Sequence, residues 1–102
     1  MNRRTDRILI VEDDRQLREQ IAWSLRDRYE IFQAGDRAAG TATLARERPD
    51  LVLLDLHLPP GRGTSEGMSL LKEIHSRGSD PVVIVMTGDE TKEAALRAID
   101  EG

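Results

Sequence analysis

The sequence contains no cysteine, which excludes disulfides and thiolate metal sites. Aromatic residues are scarce: one Trp, one Tyr and one Phe. A core must therefore be built from Leu, Ile, Val and Ala. No basic block stands out beyond Arg3-Arg4, and 15 Lys and Arg against 19 Asp and Glu leave a net charge of −4. That balance gives no support for binding along a nucleic-acid backbone. Long hydrophobic runs are also missing. Met1 to Arg7 are polar, and the apolar stretch after them is four residues long, too short for a signal peptide or a membrane span. The expectation is a soluble, cytoplasmic protein with no membrane contact. The two histidines, His57 and His75, form no cluster, because His75 falls on the surface of a predicted helix. Internal repeats and low-complexity segments are absent. At 102 residues the chain is one domain, large enough for a single core.

What is present is a set of short apolar runs that end in chemistry. Asp50-Leu51-Val52-Leu53-Leu54-Asp55 carries four consecutive apolar residues into a carboxylate. A continuous run of this kind suits a strand covered on both faces, as in a parallel sheet. Ile8-Leu9-Ile10-Val11 runs into Glu12-Asp13-Asp14, and Val82-Val83-Ile84-Val85-Met86 runs into Thr87-Gly88. In open α/β sheets ligands bind just outside the carboxyl ends of the strands. The three runs thus deliver carboxylates and a hydroxyl to one edge.

In chain order, residues 8–12 read as the first strand. Asp14 caps a helix that runs to about Arg28, with Leu17, Ile21, Ser24 and Leu25 as its buried stripe and Trp23 off it. Tyr29 to Ala34 is a less apolar strand suited to a sheet edge. Gly35-Asp36 is a turn and cap. Residues 37–48 form a helix containing Ala38, Ala39, Ala42, Leu44 and Ala45. Its internal Gly40 weakens it by about 1 kcal/mol relative to Ala, and Pro49 stops it. The central strand is 51–55. Leu56 to Gly67 is a Pro- and Gly-rich loop, longer than is usual between a strand and a helix, and such loops are often functional. A third helix covers 67–77 with Met68, Leu70, Leu71 and Ile74 inward, ended by Gly78-Ser79-Asp80-Pro81. Strand 82–86 follows, then a capped helix from about Thr91 with Ala95, Leu96, Ala98 and Ile99. Strands alternating with helices predict a parallel sheet with right-handed crossovers. No strand follows the last helix, and the expectation is a fragment of a longer protein.

Glu12, Asp13 and Asp55 are the candidate site. Carboxylates about 4 Å apart repel by roughly 1–4 kcal/mol per pair, depending on the effective dielectric. A hard, oxygen-liganded cation that keeps some of its waters offsets this, and magnesium is the natural choice. A carboxylate oxygen of Asp55 is then placed to attack phosphorus, the aspartyl-phosphate route. Thr87 can donate its hydroxyl to a phosphoryl oxygen, and Gly88 leaves room for a donor. Each residue alone has a plainer reading. Asp14 is a helix cap; Glu12 and Asp13 cap helices as often as they ligate; Thr87-Gly88 is a turn in most proteins. The three strands together favour the site. His57 is expected to offer its backbone carbonyl rather than its ring. Gly61, Gly63 and Gly67 lack the Lys-Ser/Thr of a phosphate-cradling loop and read as a flexible insertion.

Taken together, Ile8-Leu9-Ile10-Val11-Glu12-Asp13-Asp14, the run into Asp55, Leu58-Pro59 and Val85-Met86-Thr87-Gly88 resemble the receiver domain of two-component response regulators, over residues 7 to 102. The resemblance implies a flavodoxin-like α/β fold, a three-layer parallel sheet of order 2-1-3-4, with the family's fifth strand and helix missing. It implies that Asp55 accepts a phosphoryl group from a sensor histidine kinase. It implies that Glu12, Asp13, Asp55 and the carbonyl of His57 surround magnesium, with Glu12 acting through water, and that Thr87 is the switch hydroxyl. The long loop after Pro59 is similar to that of receivers attached to sigma-54-type transcriptional activators. The family's active-site lysine follows the fifth strand and has no counterpart in this chain. The expectation is a polypeptide that holds magnesium yet phosphorylates poorly, and whose open edge is satisfied by another chain.

The leading functional reading is a phosphoacceptor signalling module, not an enzyme, whose phosphorylation switches an output domain, a DNA-binding transcription activator in the longer chain. The receiver itself makes no direct contact with nucleic acid, and a homodimer is left open. Two alternatives remain. A pseudo-receiver would serve only to bind protein. A magnesium-dependent aspartyl-phosphate phosphatase would typically carry a second Asp two residues after the nucleophile, where this chain has His57.

Overall fold

Three apolar runs and one less apolar segment become the four strands of one parallel sheet. The computed structural model describes residues 6–61, 63–77, 81–86 and 97. In chain order these give β1 (Arg7–Val11), α1 (Arg15–Leu25), β2 (Glu30–Ala34), α2 (Arg37–Glu47), β3 (Leu51–Asp55), α3 (Ser65–Ser76) and β4 (Val82–Met86). The strand order is β2-β1-β3-β4, all parallel, the flavodoxin-like order over its first four strands. The helix expected from Thr91 lies outside the described residues. Among the described residues no helix is long and apolar enough to cross a membrane.

Alternation along the strands divides the core into two faces. Ile8, Ile10 and Leu53 pack with Ile21, Ala22 and Leu25 of α1. Leu9, Val11, Val52 and Leu54 pack with Leu44 of α2 and with Leu70 and Ile74 of α3. Both faces of β1 and β3 are therefore covered, which is why these strands are apolar without interruption. At the amino ends of the strands, opposite the carboxyl edge, Arg7 ties the elements together. Its N–H donates to Asp50 Oδ2 (2.8 Å), and its guanidinium donates to the Glu47 carbonyl (2.7 Å) and lies 3.2 Å from Glu30.

Several boundaries and faces differ from the sequence reading. The first strand is 7–11, so Glu12 lies just past it, and the second begins at Glu30. α1 stops at Leu25, where the N–H groups of Arg28 and Tyr29 both turn back onto the Leu25 carbonyl. Its buried stripe is Ile21, Ala22 and Leu25; Ser24 faces water and donates to the Gln20 carbonyl instead. In α2 the core face is Gly40, Thr43 and Leu44, while Ala38, Ala42 and Ala45 are exposed. An alanine-rich helix carries little contrast between its faces, so periodicity could not orient it. Gly40 is buried because α3 comes close: a Cβ there would stand 3.0 Å from Leu70 Cδ2. α3 starts at Ser65, two residues before the expected 67, and buries Gly67, Leu70 and Ile74. Met68 falls outside that stripe and is exposed.

Candidate functional site

Register places the acidic residues. Val11 pairs with Leu54 across β1 and β3, so the next residues, Glu12 and Asp55, stand side by side at the carboxyl edge of the sheet. β1 and β3 are also where the strand order reverses, the position at which open α/β sheets form their ligand crevice. One carboxylate oxygen from each of Glu12, Asp13 and Asp55 lies within 4.8 Å of the others. Glu12 is 1% exposed and Asp55 4%, whereas Asp13 is exposed. Burial strengthens the mutual repulsion of the three charges. An all-oxygen donor set with one exposed member fits a hard divalent cation that keeps part of its hydration shell.

The turn carrying Glu12 and Asp13 is pinned on both sides. The Glu12 N–H donates to the Ala34 carbonyl of β2 (3.0 Å), and its own carbonyl accepts from Arg18 Nη1 (2.9 Å). Glu12 Oε2 accepts the Asp14 N–H (3.1 Å). Asp14 caps α1, its Oδ1 accepting from the Leu17 N–H (3.2 Å). On β3, Asp55 Oδ1 accepts the His57 N–H (2.9 Å). Leu58, 1% exposed, closes the turn after it, its N–H donating to the Leu56 carbonyl (3.1 Å).

The expected carboxylates are thus brought together, and Asp14 is the cap it was expected to be. His57 reaches Asp55 through its backbone N–H, and its side chain is exposed. Thr87 and Gly88 lie outside the described residues; Asp55 pairs with Met86, the residue immediately before Thr87. Gly61 and Gly63 cradle nothing, since a Cβ on either would meet no atom within 4 Å. Two contributors escaped the sequence reading. Arg18 holds the Glu12 carbonyl, and its only signal was a cation one turn into α1. Gly67 packs onto the backbone of Leu56; in the sequence it stood where the loop meets the third helix, with nothing to signal that contact.

Comparisons with known proteins agree with this fold. The family model described as "Response regulator receiver domain" matches residues 8–102. Response regulator MprA of Mycobacterium leprae is 31% identical over 97 residues, spanning 94% of this chain and 41% of that protein. The chain thus covers less than half the length of such curated relatives. The non-phosphorylated HemR receiver domain from Leptospira biflexa superposes with a TM-score of 0.72 at 30% identity, over 96% of this chain and 77% of the other. NtrX from Brucella abortus gives 0.74 at 31%, over 97% of this chain and 22% of the other.

Proposed function

The chain belongs to the response regulator receiver domains, and from that membership we propose that Asp55 is its phosphoacceptor and that Glu12, Asp13 and Asp55 hold magnesium beside it. The observation that carries this is a nearly buried aspartate at the end of β3, within 4.8 Å of two further carboxylates. As a receiver domain the chain is a phosphoacceptor module of two-component signalling. The residue roles, the sensor histidine kinase as donor, the output domain, the cytoplasmic setting and the non-enzymatic role are parts of the proposal.

The protein's share of the reaction is positioning and charge. Magnesium, when bound, offsets the carboxylate repulsion and neutralises charge on the incoming phosphoryl group. Glu12, Asp13, Asp55 and the His57 carbonyl are its proposed ligands. The His57 N–H on Oδ1 fixes the plane of the Asp55 carboxylate. An Asp55 oxygen then forms a bond to phosphorus as the bond from phosphorus to the donor's imidazole nitrogen breaks, and that nitrogen leaves with the bonding pair. The new group brings about −1.5 to −2 charges to the sheet edge. Thr87, which follows the strand neighbour of Asp55, donates its hydroxyl to a phosphoryl oxygen and couples the site to the segment beyond, with Gly88 giving room. Incubation with phosphoramidate and magnesium, followed by intact mass, tests the assignment. One phosphoryl group gained by the native chain and none by Asp55→Asn supports it; equal labelling of the variant refutes it.

A further inference from the structure

The reaction just described leaves Arg18 without a task, although it is a half-buried cation held on the main chain of Glu12, a member of the acidic cluster. Its guanidinium makes two directed hydrogen bonds to neutral acceptors. Nη1 donates to the Glu12 carbonyl (2.9 Å) and Nε to Gln33 Oε1 on β2 (3.2 Å). Its own N–H donates to the Asp14 carbonyl (2.9 Å). Gly35 gives it room: a Cβ on that residue would stand 3.1 Å from Nη1.

The Glu12 carbonyl belongs to the peptide unit joining Glu12 to Asp13. That unit is planar, so holding its oxygen also sets the nitrogen and Cα of Asp13. On the other side Asp14 is held through its N–H by Glu12 Oε2 and through its carbonyl by the Arg18 N–H. Asp13, the exposed carboxylate, therefore sits between two pinned neighbours, and one of the pins is the Arg18 side chain. The geometry points to Arg18 as a positioning residue for the metal site, one that fixes Asp13 against Glu12 and Asp55 by clamping the peptide between the two adjacent acids. This rests on the magnesium reading of the cluster. Groups that orient metal ligands from behind typically change affinity by about 10–100-fold when removed.

The sign of the effect separates positioning from charge. A cation near the site repels magnesium, so removing it for charge alone would tighten binding. Loss of the clamp weakens binding. Magnesium titration of the full chain, followed by amide NMR, with thermal unfolding of each variant in metal-free buffer, distinguishes them. Arg18→Met, which keeps the apolar stem, should raise the magnesium Kd about tenfold. Arg18→Lys, which keeps the charge and one donor, should fall between. Gly35→Ala crowds the guanidinium without removing it, and should weaken binding less, with little further effect once Arg18 is Met. An unchanged or lower Kd in Arg18→Met overturns the proposal. If that variant does not fold, Arg18→Lys and Gly35→Ala decide it, and a native Kd in both overturns it. If the native chain itself binds no magnesium, the proposal falls together with the metal site. Native binding that is abolished by Asp13→Asn shows the site intact, so that a null result at Arg18 counts against Arg18 alone.

Discussion

Gly67 packs directly against Leu56: a Cβ built on the glycine overlaps the carbonyl oxygen and Cα of Leu56. Leu56 follows the candidate phosphoacceptor, so the first turn of α3 rests on the backbone that leaves the site. A backbone cannot swing aside as a side chain can. Gly67→Ala should therefore destabilise the chain by about 2 kcal/mol, within the range for an overpacked interior, and shift the amide resonances of residues 55–58. Urea unfolding and NMR check both. A variant as stable as the native chain would contradict this packing.

Gly40 sets helix propensity against packing. In an exposed helix Gly→Ala gains about 1 kcal/mol. Here the new methyl would stand 3.0 Å from Leu70 Cδ2, and Leu70 is fully buried, with little freedom to give way. The expected result of Gly40→Ala is a net loss of about 1 kcal/mol, measured by chemical denaturation. A stabilised variant would show that α2 and α3 slide apart at little cost.

These two glycines mark the limit of what the sequence could show. The strands were legible because β1, β3 and β4 are unbroken apolar runs whose length and endings admit little else. Glu12, Asp13 and Asp55 were legible because each follows such a run, and parallel register then brings them to one edge. The face of α2 was not, and in α3, where Leu70, Leu71 and Ile74 turn inward as expected, Met68 does not. Ala38, Ala42 and Ala45 are as apolar as the residues that are buried, and Met68 suits a core as well as a surface. What orients those helices is close approach at Gly40 and Gly67, and a glycine reads the same whether it loosens a loop or admits a neighbour. Arg18 was hidden for a related reason, since its partners Glu12 and Gln33 are set by the fold and not by helical spacing.

Asp36 caps α2 through the Ala39 N–H (2.8 Å) and is not one of the three clustered carboxylates. Asp36→Ala should cost about 1 kcal/mol of stability, the usual worth of such a cap, and leave magnesium affinity unchanged. Thermal unfolding and a magnesium titration read the two quantities separately. A marked fall in affinity would mean that the start of α2 is coupled to the site.

The acidic cluster predicts a reversal of sign at Asp13. Without divalent cation, Asp13→Asn relieves repulsion and should raise stability, on the order of 1 kcal/mol. With magnesium at a hundredfold excess over its Kd, the native chain gains about 2.7 kcal/mol by linkage and the variant far less, so the order of stabilities inverts. Urea unfolding with EDTA and with magnesium tests this. The same order in both buffers would mean that Asp13 is no ligand.

The proposed function requires Asp55 to accept a phosphoryl group within a magnesium-holding carboxylate cluster. Beryllofluoride titration in the presence of magnesium, followed by amide NMR on the native chain and on Asp55→Asn, tests it most directly. Saturable shifts are expected in the residues around Glu12, Asp13 and Asp55, dependent on magnesium and lost in the variant. Shifts that persist in Asp55→Asn, or a native chain that does not respond, would contradict it.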